Sequence, residues 1–300
     1  MEEVLTFGEG GFGILTPARS PARGAVVVLF NAGLIHRPGP LRLHVDLARR
    51  LAASGFDVFR FDLPGIGDAG MKGAAQARAV QALDALAVRT GARAFLVGGI
   101  CSAADLAWRM ATLDERVRGL VLVDPMAVRG GWYRFGRLKM FLGTPLRELL
   151  GKLGRRLRRM APGAEHVPSV EDYREWPSPA EFRARLAEAL GRGVRVLGLY
   201  TGGVSDYLLH PRQIDATFGA LRVHAGLRLE FHPELDHILF AARDRCRVVE
   251  AIAGWADGAV PAAGAETRPG LPPGGRIGSG MHAAVAAAAR SPRIHYQAGA

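Results

Sequence analysis

The stretch Ala94-Phe-Leu-Val-Gly-Gly-Ile-Cys101-Ser-Ala-Ala-Asp105 decides the fold, because an apolar strand runs through glycines into a small-residue turn and then a helix. Such a turn lifts one side chain above a sheet and admits only small residues two positions before and after it. Cys101 has Gly99 and Ala103 at those positions, whereas Ser102 would have an isoleucine in the crowded place. The pattern predicts a nucleophile elbow at Cys101. The alternative is a small apolar cysteine that packs at the end of a buried strand.

Two later strands end in residues that could complete a catalytic set. The strand Val194–Thr201 is followed by Asp206, and the strand Leu227–His232 is followed by His237. Parallel sheets expose catalytic groups on the loops that follow their strands. We therefore expect both side chains at the same edge of the sheet as the cysteine.

The order of these residues along the chain predicts a catalytic triad of nucleophile, acid and histidine. Cys101 is expected to attack a carbonyl as its thiolate, and His237 to take and return the proton. Asp206 is expected to hold the imidazole in the correct tautomer. Asp124, which ends the strand Val117–Val123, is the alternative acid.

A nucleophile of this kind also needs hydrogen-bond donors for the oxyanion that forms on the substrate. The first donor is expected to be the backbone N–H of Ser102 in the elbow. The second is expected from the loop after the strand Ala25–Phe30, where Ala32, Gly33 or their neighbour Leu34 could present an N–H.

The same loop carries two residues that could bind substrate, His36 and Arg37. Arg37 could pair with an anionic group of the substrate. The alternative is a structural salt bridge from Arg37 to Asp62 or Asp68.

Four pieces of this sequence resemble the α/β-hydrolases of the serine-aminopeptidase-like type, and more narrowly the hydrolases associated with the exosortase system. The pieces are the run 26–37, the run 59–68, the elbow with its Gly-x-Cys pattern, and Asp236-His237. The similarity covers residues 20 to 257. It implies an α/β-hydrolase fold, with a mostly parallel eight-stranded sheet flanked by helices and a helical cap.

Composition fits one large α/β core, since 49% of the 300 residues are hydrophobic. An apolar run long enough for a membrane span is missing, and the start at Met1 lacks the basic region of a signal peptide, so a cytoplasmic protein is expected. Of the two cysteines, Cys101 is expected to be a free thiol and Cys246 a packing residue. Neither a metal nor a cofactor is expected.

Charge is distributed unevenly, although the formal total is +11. Ten Lys and Arg residues lie between positions 128 and 160, against the single acid Glu148. Apolar residues recur between them at helical spacing, which predicts two short amphipathic helices. This basic stretch could be a solvated face, could attract an anionic acyl carrier such as coenzyme A or a carrier protein, or could contact anionic lipid. Nucleic acid is not expected, because no recognition motif accompanies the charge.

These observations predict three regions. Residues 1–127 and 194–257 form the core, residues 128–193 form a basic helical cap or lid, and the Ala/Gly/Pro-rich residues 258–300 form a disordered tail.

The predicted function follows from the chemistry of cysteine. A thiolate is a strong nucleophile and also a good leaving group, so thioesters and activated esters suit it better than amides. The sequence therefore predicts a cysteine-dependent acyl hydrolase or acyltransferase acting on a small-molecule thioester or ester. The alternative is a non-catalytic binding protein of the same fold.

Overall fold

A computed structural model describes residues 1–70, 73–145, 147, 151, 174, 177–204 and 207–260. Eight strands form one sheet in the order β1-β2-β4-β3-β5-β6-β7-β8. The strands are β1 (Glu3–Phe7), β2 (Gly11–Thr16), β3 (Ala25–Leu29), β4 (Asp57–Phe61), β5 (Ala94–Ile100), β6 (Val117–Val123), β7 (Arg195–Thr201) and β8 (Leu227–His232). The pairs β1–β2 and β2–β4 are antiparallel and the other pairs are parallel. The predicted mostly parallel, eight-stranded sheet is confirmed.

The helices that connect these strands cover the sheet. They are α1 (Leu43–Ala53), α2 (Ala75–Thr90), α3 (Ser102–Leu113), α4 (Gly131–Gly143), α5 (Pro179–Gly191), α6 (Arg212–Phe218) and α7 (Ala242–Ala259). Two 3₁₀ turns lie at Pro40–Arg42 and Gly219–Val223. Helix α5 shows why such segments begin where they do: Ser178 Oγ accepts a hydrogen bond from the backbone N–H of Glu181, and Pro179 occupies the first turn.

The central strands read as continuous apolar runs because helices bury both of their faces. All five residues of β3 are buried, as are six of the seven in β5. Strand β5 extends to Ile100, the residue before the cysteine. Its last residues, Gly99 and Ile100, pair with Leu122 and Val123 of β6, so the sheet continues up to the elbow.

Helix α5 belongs to the core, although the sequence placed its residues in the predicted cap. Phe182 stacks on Trp108 of α3 with ring centroids 5.4 Å apart and meets Phe218 edge-on at 5.6 Å. The leucines and alanine on the same face, Leu186, Ala189 and Leu190, are also buried. The helical layer against the sheet therefore extends into the range 128–193.

Helix α4 differs from α5, because most of its apolar side chains are exposed. They are Phe135, Leu138, Met140, Phe141 and Leu142. Its one buried residue is Gly136, where an added Cβ would lie 2.6 Å from the side chain of Leu209. The second predicted cap helix and the tail from 261 onward lie outside the described residues. Within the described ranges, no helix is both long and apolar enough to cross a bilayer.

Candidate active site

Cys101 lies at the sharp turn between β5 and α3. Its backbone has φ 61° and ψ −123°, a conformation that residues other than glycine rarely adopt. The Cys101 N–H donates to Val123 O of the neighbouring strand β6 at 2.9 Å. The turn is thereby fixed to the sheet, and the Cys101 side chain is left partly exposed at its edge.

The small residues around the turn are there for steric reasons. A Cβ on Gly99 would clash with the side chain of Ala103 and would lie 2.8 Å from Phe30 O. The two positions that frame Cys101 in the sequence therefore touch each other across the turn. The same framing would fail for Ser102, which is already the first residue of α3.

His237 lies in the loop between β8 and α7, and its Nδ1 is 2.6 Å from Oδ2 of Asp124. Asp124 follows β6 directly and is fully buried, whereas the His237 side chain is 27% exposed. The Cys101 thiol lies close enough to the imidazole to act on its pKa. Because Nδ1 is taken by Asp124, the other ring nitrogen, Nε2, is left for the thiol.

The expectation that Asp206 orients His237 is replaced by the alternative, Asp124. Asp206 itself lies outside the described residues. The hydrogen bond expected from Asp206 is made instead by a carboxylate on the adjacent strand, β6. The structure therefore brings together Cys101, His237 and Asp124.

The Asp124 carboxylate is held by two further donors. Thr201, at the end of β7, donates its N–H to Oδ1 at 2.6 Å and its hydroxyl to Oδ2 at 2.8 Å. The backbone of Asp124 has φ 49°, another strained conformation at this edge. Three hydrogen bonds, from His237 and from the two donors of Thr201, therefore fix the orientation of this buried carboxylate.

The loop of His237 approaches closely because glycines face it. A Cβ on Gly203 would clash with the backbone N of His237 and one on Gly202 with Pro233 O. The Gly202 N–H also donates to His232 O and Leu235 O, at 3.1 and 3.0 Å. These glycines of the β7 loop therefore set the position of the imidazole.

The environment of His237 favours its charged form. Burial acts to lower the pKa of the imidazole, but the hydrogen bonds with Asp124 and Cys101, together with their charges, outweigh burial and raise the pKa to about 9. His237 is therefore an imidazolium at neutral pH. A cation beside a thiol favours the thiolate, the reactive form of cysteine.

The expected oxyanion donors lie together, but one of them is engaged. The Gly33 N–H donates to Ser102 Oγ at 2.8 Å, which ties the loop after β3 to the elbow. Within the described residues, the N–H groups of Ala32, Leu34 and Ser102 have no hydrogen-bond acceptor. These three N–H groups remain candidates for an oxyanion.

Arg37 has the structural role that was its alternative interpretation. Its guanidinium bonds with Asp62, and with Asp68 at 2.7 Å, while its N–H donates to Asp62 Oδ1 at 2.6 Å. Two carboxylates thus already neutralise the guanidinium, which favours the structural interpretation over binding of a substrate anion. His36, its neighbour, is exposed on the same loop.

Sequence reasoning missed an ion pair beside the elbow. Arg174 has a fully buried side chain and binds Asp105, which lies in the first turn of α3 four residues after Cys101. The position of Asp105 was a usable signal, because residues four apart share one face of a helix. Nothing in the sequence distinguished Arg174 from the other arginines of the predicted cap.

Among the residues that the structure describes, there is no group of three or more His, Cys, Asp or Glu residues that could hold a metal ion.

Comparison with known proteins identifies the fold. No protein-family model and no curated protein matches the sequence. Among solved structures, the chain is similar to the α/β hydrolase GrgF from Penicillium sp. (14% identity, 87% of this chain and 98% of that one, TM-score 0.52). It is also similar to a Thermus thermophilus protein (16% identity, 88% of this chain and 99% of that one, TM-score 0.53). A third similar structure is the esterase domain of a Rhodothermus marinus protein (14% identity, 85% of this chain and 97% of that one, TM-score 0.50). The expected α/β-hydrolase fold is thus confirmed.

Proposed function

We propose that this protein is a cysteine-dependent acyl hydrolase or acyltransferase that acts on a thioester or ester through Cys101, His237 and Asp124. One observation carries the proposal: a buried carboxylate holds the imidazole at 2.6 Å, and that imidazole interacts with a cysteine in the strained turn of an elbow. Orienter, base and nucleophile in this geometry form a catalytic triad.

The first step is attack by the thiolate. The imidazolium of His237 and the N-terminus of α3, which begins at Ser102, both favour negative charge on the Cys101 sulfur. The sulfur forms a bond with the carbonyl carbon of the substrate, and the carbonyl electron pair moves onto oxygen. The backbone N–H groups of Ser102 and Ala32 are among the donors available for that oxyanion.

The second step releases the leaving group. As the tetrahedral intermediate collapses, the bond to the leaving thiol or alcohol breaks, and His237 Nε2 donates its proton to it. Cys101 is left as an acyl thioester. His237, now neutral, can take a proton from water, an amine, an alcohol or another thiol, which attacks the acyl carbon and restores the thiolate.

Thioesters and activated esters are the substrates that match this nucleophile. With an amide or a simple alkyl ester, the thiolate would leave more readily than the substrate's own group, so the intermediate would collapse backwards. The acyl thioester of the enzyme remains reactive toward several acceptors. Hydrolysis and acyl transfer are therefore both within the chemistry of the site.

Apolar side chains lie on the loops of the site, and they support the proposal that the acyl group is apolar. Leu34 and Ile35 are exposed in the loop after β3, and Ile238 and Phe240 are exposed in the loop of His237, with Phe240 72% exposed. Exposed apolar residues beside a site favour a ligand with an apolar group.

The charge of the basic residues in the predicted cap supports the proposal that the acyl group arrives on an anionic carrier, such as coenzyme A or a carrier protein. The five basic residues between 148 and 160 all lie outside the described residues, and it is their charge that supports this part of the proposal. Reversing Arg155, Arg156, Arg158 and Arg159 to glutamate should lower kcat/KM for an acyl-coenzyme A and not for a small neutral ester. The difference should shrink at high salt, where the Debye length falls to about 3 Å. An equal change in kcat/KM for both substrates at low salt would indicate that the cap is only a solvated face.

Intact-mass spectrometry tests the proposed chemistry. The protein is incubated with a panel of acyl thioesters, and the acyl adduct is chased with water, an amine or an alcohol. We expect an adduct on the wild type and on the control Cys246→Ser, and none on Cys101→Ala. A Cys101→Ala variant with unimpaired turnover would refute the mechanism, and ligand binding without adduct or turnover would favour the binding-protein alternative.

A further inference from the structure

The guanidinium of Arg174 lies inside the protein beside the elbow. Its Nε bonds Asp105 Oδ2 at 2.6 Å and its Nη2 bonds Asp105 Oδ1 at 2.7 Å. The Arg174 side chain is 0% exposed and that of Asp105 is 14% exposed. Two parallel, charge-assisted bonds fix the plane of the guanidinium as well as its position.

Arg174 also contacts the residues that hold the catalytic acid. Its guanidinium lies over the ring of Tyr207, 4.8 Å from the centroid, and its Nη2 is 3.4 Å from the backbone carbonyl of Asp124. The Tyr207 hydroxyl donates to the same carbonyl at 2.9 Å. The backbone of Asp124, which has a strained φ, is therefore held by both groups.

The charge of Arg174 is permanent and acts on the nucleophile. Burial acts to lower its pKa, but the hydrogen bonds and charge of Asp105 outweigh burial and raise the pKa, with further contributions from Tyr207 and Cys101. Among the described residues, His237 from the β8 loop, Arg174 from the predicted cap and Tyr207 from the β7 loop interact electrostatically with Cys101, and Asp105 lies about one helical turn from it.

A buried ion pair is an expensive way to stabilise a fold. Removing two charges from water costs free energy that their attraction repays only in good geometry, and apolar residues of the same volume often serve as well. A neutral packing residue would fill the place of Arg174 without that cost. The position of the pair, four residues along α3 from Cys101, indicates a use for the charge.

We propose that Arg174 is a positioning residue of this site, whose guanidinium, fixed by Asp105, supports the backbone of Asp124 and places a positive charge beside Cys101 that favours its thiolate. The proposal rests on the proposed function in taking Cys101 as the nucleophile. The guanidinium and the carboxylate that holds it then act on the thiol in opposite directions.

The test is the pH dependence of alkylation of Cys101 by iodoacetamide, measured in a Cys246→Ser background so that one thiol is followed. Arg174→Gln removes the positive charge and keeps the Asp105 carboxylate near the thiol, and we expect the midpoint to move up by about one pH unit. Asp105→Asn removes the negative charge and keeps the guanidinium, and we expect the midpoint to move down. Arg174→Lys keeps the charge but loses the two-bond geometry, so its midpoint should stay close to that of the parent.

Opposite shifts from Arg174→Gln and Asp105→Asn are the signature of an electrostatic effect, since damage to the fold would move both in one direction. Circular dichroism checks that each variant is folded. If Arg174→Gln does not fold, the downward shift of Asp105→Asn and the unshifted Arg174→Lys decide the matter. Unchanged midpoints, or shifts of one sign, would overturn the proposal. Alkylation by iodoacetamide requires no turnover. Its pH dependence is therefore independent of the acyl-adduct experiment with Cys101→Ala, which tests the proposed function.

Discussion

Replacing Asp124 with asparagine removes the charge that holds His237 and changes little else in volume. The carboxylate accepts from His237 Nδ1 at 2.6 Å and from both donors of Thr201. An asparagine can keep one acceptor for Thr201, but it cannot offer the imidazole a negative charge. Its amide can also donate to Nδ1, which would leave the proton on the wrong nitrogen for catalysis.

The size of the effect follows from the pKa of His237, which its environment raises from 6.5 to about 9. Asp124 is the group that raises this pKa most, and burial lowers it. Without the charge of Asp124, the pKa of His237 should therefore return to its ordinary value of about 6.5 or below. At pH 7.5 the imidazolium fraction then falls from nearly all of the molecules to about a tenth. Alkylation of Cys101 at that pH should slow about tenfold. Turnover should fall further, by roughly a hundredfold to ten-thousandfold, because the tautomer is also wrong.

Two assays measure these effects on the same proteins. Steady-state kinetics with an activated thioester give kcat and KM, and we expect the loss in kcat with a modest change in KM. Iodoacetamide alkylation across the pH range gives the protonation state of the Cys101–His237 pair. Asp206→Asn is the matched control, since it makes the same chemical change on the neighbouring loop. Wild-type turnover in Asp124→Asn together with a large loss in Asp206→Asn would refute the assignment of the acid.

Three further predictions concern the elbow and the imidazole. Ser102→Ala should retain most of the activity, because its hydroxyl serves to anchor the Gly33 N–H at 2.8 Å rather than to attack substrate; the loss of stability, read from urea unfolding, should be about 1 kcal/mol. Ala103→Val should lower both Tm and activity, because the Ala103 side chain already packs against Gly99 and the added methyl groups would clash with the turn. A variant with unchanged Tm would contradict this steric argument. The raised pKa of His237 stabilises the fold in full below pH 6.5, and this contribution is lost as the pH rises through about 9. The difference in unfolding free energy between the wild type and His237→Ala should therefore shrink by about 3 kcal/mol between pH 6 and pH 10, and a constant difference would argue against the raised pKa.

Local sequence determined the elbow and the order of the fold. The glycine and alanine that frame Cys101 follow from the crowding of a strand-to-helix turn, and this is a property of a few consecutive residues. Continuous apolar runs marked the buried strands, and the four strands whose bounds were predicted lie within one residue of those in the structure. His237 was identified because it lies in the loop that follows the last strand.

Tertiary structure alone decided which carboxylate serves the histidine. Asp124 and Asp206 follow the neighbouring strands β6 and β7, and both strands end at the edge of the sheet where Cys101 lies. Sequence spacing cannot separate two such positions, because the choice depends on which carboxylate reaches Nδ1 across the sheet. The same limit applies to Arg174, which contacts Asp105 from 69 residues away along the chain. Local patterns report the conformation of a segment, whereas pairings between distant segments are fixed only when the whole core has packed.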